Sequence, residues 1–427
     1  MQHKRKKLTL ALIIMIVGIM AFWWLSHKNT DNTSDPLDLQ IQQSLQNYLN
    51  QNQMKNHTSA IQLSIWLPTE QSPRSYTLGN QYWDDATVPA TNAMMFEWGS
   101  ITEEYTNVLL FQLINQHLLR LDNTLFQIFP EAFNQNNANS WPNIWENVTI
   151  AELMNMTSGI PDYLNLINFN YTPTQRFTSQ SLIDAVSHHQ KQLGCTSAIN
   201  CFMPGTTWSY SNTNYILLSL IAQKITYTSA FNDIMNSFLA PIQQGNAVYY
   251  YTTPLPSELF AHMIHGYYLS GNNYFDGTAI NLSFMAAAGA LVGNMSSLVN
   301  MTRALYLNQL VPGTFNIKEL QEGAVQVPTG QAVSDPTTQC ELGNAELLGS
   351  CYARGIMEVY VPKEGLFWWS TSETSIGYRT LYLWDQNQNI AIAIAANSVN
   401  SDISTLFYQA LQINMLIRRS LAVGYSE

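Results

Sequence analysis

The chain of 427 residues has few charged side chains, since Asp, Glu, Lys and Arg make up only 11% of it. Cations are the scarcer kind: 18 Lys and Arg residues stand against 29 Asp and Glu residues, for a net charge of −11. Four of these cations lie together at positions 4–7, so the remainder is more acidic still. An acidic body without a basic stripe argues against a nucleic-acid partner.

Cysteine is also rare, with four residues in the whole chain. Cys195 and Cys201 lie close together in sequence, and so do Cys340 and Cys351. Two local disulfides are the natural prediction and fit an oxidising compartment, although two other pairings are open. A zinc site is a weaker alternative, because the spacings fit no common ligand pattern and no histidines cluster nearby. The sequence predicts no metal and no cofactor.

Long hydrophobic runs are lacking except at the N-terminus. Basic residues in 1–7 precede an uncharged, mostly apolar run at 8–26, which is near the lower limit for spanning a bilayer. We expect a cytoplasmic tail at 1–7, a single transmembrane helix at 8–26 and a polar linker at 27–37. A cleaved signal peptide is the alternative. Either reading places the body, residues 38–427, in the periplasm or outside the cell, anchored or secreted.

The body carries strand patterns near both of its ends and helical patterns between them. Strands are predicted at 60–67, 74–81, 355–361, 366–370, 377–384 and 390–396, and helices at 38–52, 100–119 and 404–420. The middle, roughly 105–345, has a mostly helical pattern with long Asn- and Gln-rich loops. This order predicts an α/β fold of two lobes: an antiparallel sheet flanked by helices, built from both termini, and an all-α lobe from the middle.

Five short motifs follow one another along the body. They are FEWGSIT at 96–102, VTIAELM with TSGIPDY at 148–163, PGTTWSYSN at 204–212, AAGALV at 287–292 and GY at 377–378. In this order and spacing they resemble the serine β-lactamase and DD-peptidase (penicillin-binding protein) superfamily, in its class C β-lactamase-like and D-alanyl-D-alanine carboxypeptidase-like branch. The resemblance covers about residues 40–420 and implies that superfamily's two-lobed fold.

The resemblance places Ser100 at the nucleophile, and Tyr210 and Asn212 at the Tyr-x-Asn motif. The lysine of Ser-x-x-Lys is replaced by Glu103. A carboxylate at position 103 raises the free energy of the ionised forms of Ser100 and Tyr210, whereas the lysine lowers it. Glu103 could instead serve as a base towards Tyr210 or a water. Taken alone, Ser100 and Glu103 also fit the capping-box pattern Ser-x-x-Glu of a helix start.

The third motif of the superfamily, Lys-Thr-Gly or His-x-Gly, is altered as well. Its position falls on Thr371, Ser372 and Glu373, so the cation and the glycine are both missing. The resemblance implies that these residues bind substrate and that the N–H of Thr374 joins that of Ser100 in an oxyanion hole. The side chain of Glu373 is expected to obstruct the substrate, or else to be a solvated loop charge.

Two functions are therefore open from the sequence. In the first, the protein is a divergent serine hydrolase of the cell envelope that opens an ester or amide through an acyl-Ser100 intermediate. In the second, it is a pseudoenzyme that binds a ligand or partner in the remnant cleft. The expected ligand is a small molecule or peptide, neutral or cationic rather than carboxylate-terminated; the membrane is contacted through residues 8–26, and the sequence identifies no protein partner.

Overall fold

The computed structural model describes residues 35–137, 139–166, 175–193, 201–343, 347–372 and 376–424. By compactness the chain divides into two units, residues 1–43 and 44–427. The described part of the first unit lies mostly in a helix that begins at Pro36, two residues before the predicted start of the body. The predicted tail and anchor lie outside the described residues. Within the described ranges, every helix is too short or too polar to cross a bilayer.

Most of the longer strands lie towards the two ends of the folded chain, and helices predominate between them. The strands are β1 Ala60–Trp66, β2 Arg74–Gly79, β3 Phe96–Glu97, β4 Val248–Tyr250, β5 Tyr267–Ser270, β6 Asn273–Asp276, β7 Leu291–Gly293, β8 Val325–Gln326, β9 Cys351–Tyr352, β10 Met357–Val361, β11 Gly365–Thr371, β12 Arg379–Asp385 and β13 Ile390–Ala396. The α-helices are α1 Pro36–Asn56, α2 Thr102–Asn115, α3 Leu125–Ile128, α4 Ile150–Met154, α5 Ser179–Leu193, α6 Asn212–Thr226, α7 Phe231–Leu239, α8 Ser257–Phe260, α9 Met295–Tyr306, α10 Lys318–Gln321, α11 Pro336–Gln339 and α12 Ile403–Gly424.

One large antiparallel sheet is built from both ends of the folded chain. Its strand order is β2-β1-β13-β12-β11-β10-β9-β8. The first strands pair with the last one, because β1 lies antiparallel to β13. Each predicted strand of the terminal regions is present, with bounds that differ by a few residues at most. The prediction of an antiparallel sheet assembled from both termini is confirmed.

Helices cover both faces of this sheet. On one face, Trp369 of β11 packs edge-on against Phe407 of α12, with ring centroids 5.0 Å apart. On the other, Trp384 of β12 stacks on Tyr306 of α9 at 5.1 Å. Strand β13, whose sequence IAIAIAA is buried throughout, therefore needs no polar face. This burial on both faces explains why its sequence does not alternate between apolar and polar residues.

The middle of the chain is not purely helical, so the all-α prediction is corrected. It contributes β4 and β7 to a small sheet of order β3-β7-β4, and β5 pairs with β6 in a hairpin. These strands have two to four residues each, too few for a two-residue period to emerge from the sequence. The small sheet matters for the site, because β3 leads directly into the segment that carries Ser100.

One of the two predicted disulfides is described. Cys340 and Cys351 are bonded, which attaches the end of α11 to β9. Cys195, the predicted partner of Cys201, lies outside the described residues.

Candidate active site

Ser100 is placed by a tight turn between β3 and α2. Gly99 has φ = +50°, a conformation that a residue with a side chain rarely adopts, and begins a short 3-10 helix at Gly99–Ile101. Helix α2 starts only at Thr102, with Ile101 as its N-cap and no side-chain capping hydrogen bond. Ser100 is thus not the cap of α2, and the capping-box interpretation is wrong. Its side chain is almost fully buried, with 4% of the residue exposed.

Tyr210 reaches the same place from the loop before α6. The N–H of Trp208 donates to the carbonyl of Pro328 at 3.1 Å, and that of Ser209 donates to the carbonyl of Met156 at 3.0 Å. Met156, which stands where the superfamily usually has histidine, also accepts the Ser211 N–H on its sulfur at 3.4 Å. These contacts fix the loop on both sides of Tyr210.

Glu103, one turn after Ser100, is held by two tyrosines. The hydroxyl of Tyr210 donates to its Oε1 at 2.6 Å, and the hydroxyl of Tyr352 donates to its Oε2 at 3.0 Å. Only 1% of Glu103 is exposed. Two phenol donors directed at one carboxyl group, one on each oxygen, stabilise its ionised form. The replacement of lysine by glutamate has therefore been accommodated by hydrogen bonds.

Tyr352 is the site residue that the sequence did not reveal. It lies in β9, next to the bonded Cys351, and is 249 residues from Glu103 along the chain. Burial and then the charge of Glu103 raise the pKa of Tyr352 well above its ordinary value, so it stays a proton donor at neutral pH. The one available signal was an aromatic residue beside a cysteine expected to form a disulfide.

A small cavity joins these side chains. Its free volume is about 10 Å³, and it is lined by Ser100, Glu103, Tyr210, Tyr352, Gly355, Met357, Ser370 and Thr371. This is about the room that a single water needs. None of the lining residues is cationic. Ser100, Glu103 and Tyr210, three of the four predicted catalytic residues, therefore meet around one small cavity that contains a carboxyl group and no cationic side chain.

Asn212, the fourth, begins α6 and is completely buried, but it is not among the residues that line the cavity. Its Nδ2 donates to Oδ2 of Asp162 at 2.8 Å. Burial raises the pKa of Asp162, and hydrogen bonds from Leu164 and Asn212 partly oppose this rise. In this conformation Asn212 connects α6 to the 157–163 motif, and its predicted catalytic role stays a prediction.

Two of the four predicted substrate-binding residues, Thr371 and Ser372, lie at the end of β11. Thr371 lines the cavity, and its hydroxyl donates to the carbonyl of Thr380 at 3.0 Å. Ser372 is bound to the same partner twice: its N–H donates to the Thr380 carbonyl at 2.8 Å, and its Oγ accepts from the Thr380 N–H at 2.7 Å. Both side chains thus fasten β11 to β12. Glu373 and Thr374 lie outside the described residues, so their predicted roles stay predictions.

A second glutamate follows directly and faces a different environment. Glu104 is fully buried, and the hydroxyl of Tyr382 in β12 donates to its Oε2 at 2.5 Å. Burial, only partly opposed by hydrogen bonds, raises its pKa from 4.5 to about 8. It therefore stays protonated at neutral pH, and the Ser100 cavity does not include it.

Metal chemistry has no candidate position in the part of the chain that the structure describes. Within it, no three His, Cys, Asp or Glu side chains come close enough together to hold an ion.

Comparisons with curated proteins give partial matches. The chain is 26% identical to penicillin-binding protein 4* of Bacillus subtilis (strain 168) over 179 residues, which are 42% of this chain and 36% of that protein. It is 27% identical to protein flp of Staphylococcus aureus (strain COL) over 191 residues, 44% of this chain and 34% of that one. The chain thus spans about a third of the length of these relatives.

Among solved structures, the D-amino acid amidase of Ochrobactrum anthropi SV3 superposes with a TM-score of 0.70. The match covers 90% of this chain and 99% of the amidase at 18% sequence identity, so it shows the fold alone. The model of the family described as Beta-lactamase matches residues 76–413, most of the chain and all five motifs. The resemblance stated from the sequence is confirmed, and the chain belongs to the Beta-lactamase family.

Proposed function

We propose that the protein is a divergent serine hydrolase of the cell envelope, in which Glu103 replaces lysine as the partner of the Ser100–Tyr210 pair. The observation that carries this proposal is the 2.6 Å hydrogen bond from Tyr210 to Glu103, beside a cavity that Ser100 also lines. A tyrosine that donates its proton to a carboxylate has its oxygen lone pairs available for another proton.

The proposed reaction is a proton relay that conserves the charge of the site. Ser100 Oγ attacks the carbonyl carbon of the substrate, its proton passes to Tyr210, and the proton of Tyr210 passes to Glu103. The negative charge moves from Glu103 to the oxygen of the tetrahedral intermediate, so the new anion does not face a carboxylate. When the carbon–nitrogen or carbon–oxygen bond breaks, the leaving group takes the proton back. Water then opens the acyl-Ser100 ester by the same route.

The charge of the site selects the substrate. A carboxylate-terminated substrate would bring an anion towards Glu103 with no cation among the residues that line the cavity. A neutral or cationic ester or amide has no such penalty. The fold relative named an amidase of D-amino acids has substrates of that charge type, because an amino acid amide carries no free carboxylate.

Acylation of Ser100 tests the proposal directly. Purified protein is incubated with a fluorophosphonate, a β-lactam panel and two matched esters, the neutral p-nitrophenyl acetate and the anionic p-nitrophenyl hemisuccinate, and intact mass is recorded. We expect adducts with the fluorophosphonate and the neutral ester, and a weaker or undetectable one with the hemisuccinate. The Ser100→Ala variant should give none. Adducts that persist in Ser100→Ala, or a preference for the anionic ester, would contradict the proposal.

The second candidate is a pseudoenzyme that binds without acylation, and the small volume of the cavity favours it. A free volume of about 10 Å³ admits no acyl group unless neighbouring residues move. Folded protein that forms no adduct with any reagent would support this reading. The Glu103→Lys variant would also support this reading if it is not acylated until Glu373→Gly is added.

A further inference from the structure

Met156 is fully buried beside the loop that carries Tyr210, but it does not line the cavity of Ser100. It lies two residues after the end of α4 and has φ = +64°, a conformation that residues with a side chain rarely adopt. Strained backbone positions of this kind are concentrated at functional sites, where the surrounding contacts hold them. The contacts of Met156 therefore indicate what its strained conformation serves.

Both sequence neighbours of Tyr210 donate their backbone N–H groups to Met156. The N–H of Ser209 donates to its carbonyl at 3.0 Å, and the N–H of Ser211 donates to its sulfur at 3.4 Å. The hydroxyl of Ser211 is buried and has no hydrogen-bond partner among the described residues, so it does not anchor the loop. Tyr210 is thus held from both sides by the backbone and the side chain of one residue.

The same sulfur also fastens the first turn of α6. Nδ2 of Asn214 donates to the sulfur at 3.1 Å, and Oδ1 of Asn214 accepts the hydroxyl of Ser158 at 2.7 Å. Asn214 is fully buried, so bulk water cannot replace either partner. Two N–H groups, one from the loop and one from the helix, therefore meet on a single sulfur atom.

A thioether suits this position because it only accepts hydrogen bonds. Its sulfur has lone pairs for both N–H groups, and it has no proton of its own that needs a partner. Leucine has nearly the same volume but no acceptor, so it would leave two buried donors unpaired. A neutral imidazole has one acceptor nitrogen and one N–H, so histidine can satisfy one of the two donors.

We infer that Met156 is a positioning residue of the proposed reaction. Its carbonyl and its sulfur hold residues 209–214 in the place from which the hydroxyl of Tyr210 reaches Glu103, 2.6 Å away. Met156 acts through Tyr210 and does not meet the reacting atoms. The inference rests on the proposed function, because it assigns Met156 a part in the relay from Ser100 through Tyr210 to Glu103.

Substitutions of Met156 in the purified full-length protein test the inference. Met156→Leu keeps the volume and removes the acceptor, so labelling of Ser100 by the fluorophosphonate, followed by intact mass, should slow about 10-fold. Met156→His, measured at pH 8 where an imidazole is neutral, returns one acceptor and should come within about 3-fold of the wild type. Met301, similarly buried in α9 and outside the cavity lining, provides the matched control, and Met301→Leu should stay within about 2-fold.

Amide hydrogen exchange separates positioning from a general loss of stability. In Met156→Leu, exchange should quicken in peptides that cover residues 204–215 and stay as in the wild type in peptides that cover the buried strand β13. Exchange that quickens equally in both regions would mean that the whole fold is weakened, and would overturn the inference.

The labelling rates give three further outcomes. The inference alone is overturned if the wild type is labelled at Ser100 and Met156→Leu is labelled equally fast. It is also overturned if Met156→His is as slow as Met156→Leu, because the shape of the side chain rather than its acceptor would then control the rate. If the wild type forms no Ser100-dependent adduct, the proposed function fails and this inference fails with it.

Discussion

Glu103 and Glu104 are adjacent buried glutamates on one helix, and the structure gives them opposite surroundings. Glu103 faces the cavity of Ser100 and accepts hydrogen bonds from Tyr210 and Tyr352. Glu104 faces the large sheet and accepts one from Tyr382 of β12. Successive side chains of an α-helix point about 100° apart. Glu103 and Glu104 therefore face different parts of the molecule although they are adjacent in sequence.

The comparison shows that burial alone does not define a catalytic carboxylate. Glu103 and Glu104 are 1% and 0% exposed, and each is held by tyrosine. The pKa of Glu104 rises to about 8, mainly through burial, which makes it a neutral packing group at pH 7. Glu103 instead lies beside a nucleophile and has a donor on each oxygen. Its neighbours, rather than its exposure, suit it to proton transfer.

The largest expected difference between the two glutamates is in the acylation rate. Glu103→Gln removes the final proton acceptor of the proposed relay while keeping the shape, so we expect the reaction of Ser100 with the fluorophosphonate to slow about 10²- to 10⁴-fold. Glu104→Gln is the matched control and should change that rate less than about 3-fold, an allowance well below a general-base effect. Stopped-time intact-mass spectrometry measures both rates. Equal losses of rate in the two variants would contradict the different roles assigned to Glu103 and Glu104.

The second difference is in the pH dependence of stability. Below pH 4.5, Glu104 is protonated in both the folded and the unfolded chain, whereas between there and about pH 8 only the folded chain keeps the proton. The free energy of unfolding should therefore fall as pH rises, by about 1.4 kcal/mol per pH unit from this group. Urea unfolding at pH 5, 6, 7 and 8 compares the wild type with Glu104→Gln, in which this contribution is absent.

The buried Glu358, whose pKa burial raises to about 7, contributes a similar slope to both proteins and cancels in the difference. Parallel stability curves for the wild type and Glu104→Gln would mean that Glu104 is ionised in the folded protein.

A third test perturbs helix α2 at the backbone of Glu104, against which Gly355 packs. Gly355 has φ = +81°, and a Cβ atom there would lie 2.8 Å from the backbone nitrogen of Glu104. Gly355→Ala should lower the free energy of unfolding by about 3 kcal/mol, from the conformational cost and the clash together. Gly313, with φ = +77° and no neighbour within 4 Å, is the control, and Gly313→Ala should cost only about 1 kcal/mol.

Gly355 also lines the cavity of Ser100. Its substitution should therefore slow the acylation of Ser100, and that of Gly313 should not. Equal costs in unfolding free energy for the two variants would show that α2 yields freely at this contact.

The smallest effects should come from the tyrosines. Tyr352→Phe removes one of the two described donors to Glu103 and should slow acylation about 5- to 10-fold. Tyr382→Phe removes the donor to Glu104 and should lower the free energy of unfolding by about 1 kcal/mol, with an unchanged acylation rate. Fluorophosphonate labelling and urea unfolding on both variants give the four values. A reversed pattern would exchange the roles assigned to the two glutamates.

Much of the fold could be predicted from local patterns. Strand β13 was predicted with its observed bounds, residues 390–396, because a run of Ile and Ala between turns is typical of a fully buried strand. Helix α2 was predicted at 100–119 but spans 102–115, since a 3-10 turn precedes it and His117 adopts φ = +59° beyond its end. The short strands of the middle were missed, because three residues carry no measurable period.

The sequence by itself determined the family, the order of its motifs, the position of Ser100 and the replacement of lysine by Glu103. These are local features, written in residues that are adjacent or one helical turn apart. Only the tertiary structure decided what the carboxyl group of Glu103 meets: Tyr210 and Tyr352 lie 107 and 249 residues away along the chain. A helical period fixes the direction of a side chain relative to its own helix, but only packing brings distant segments to that side.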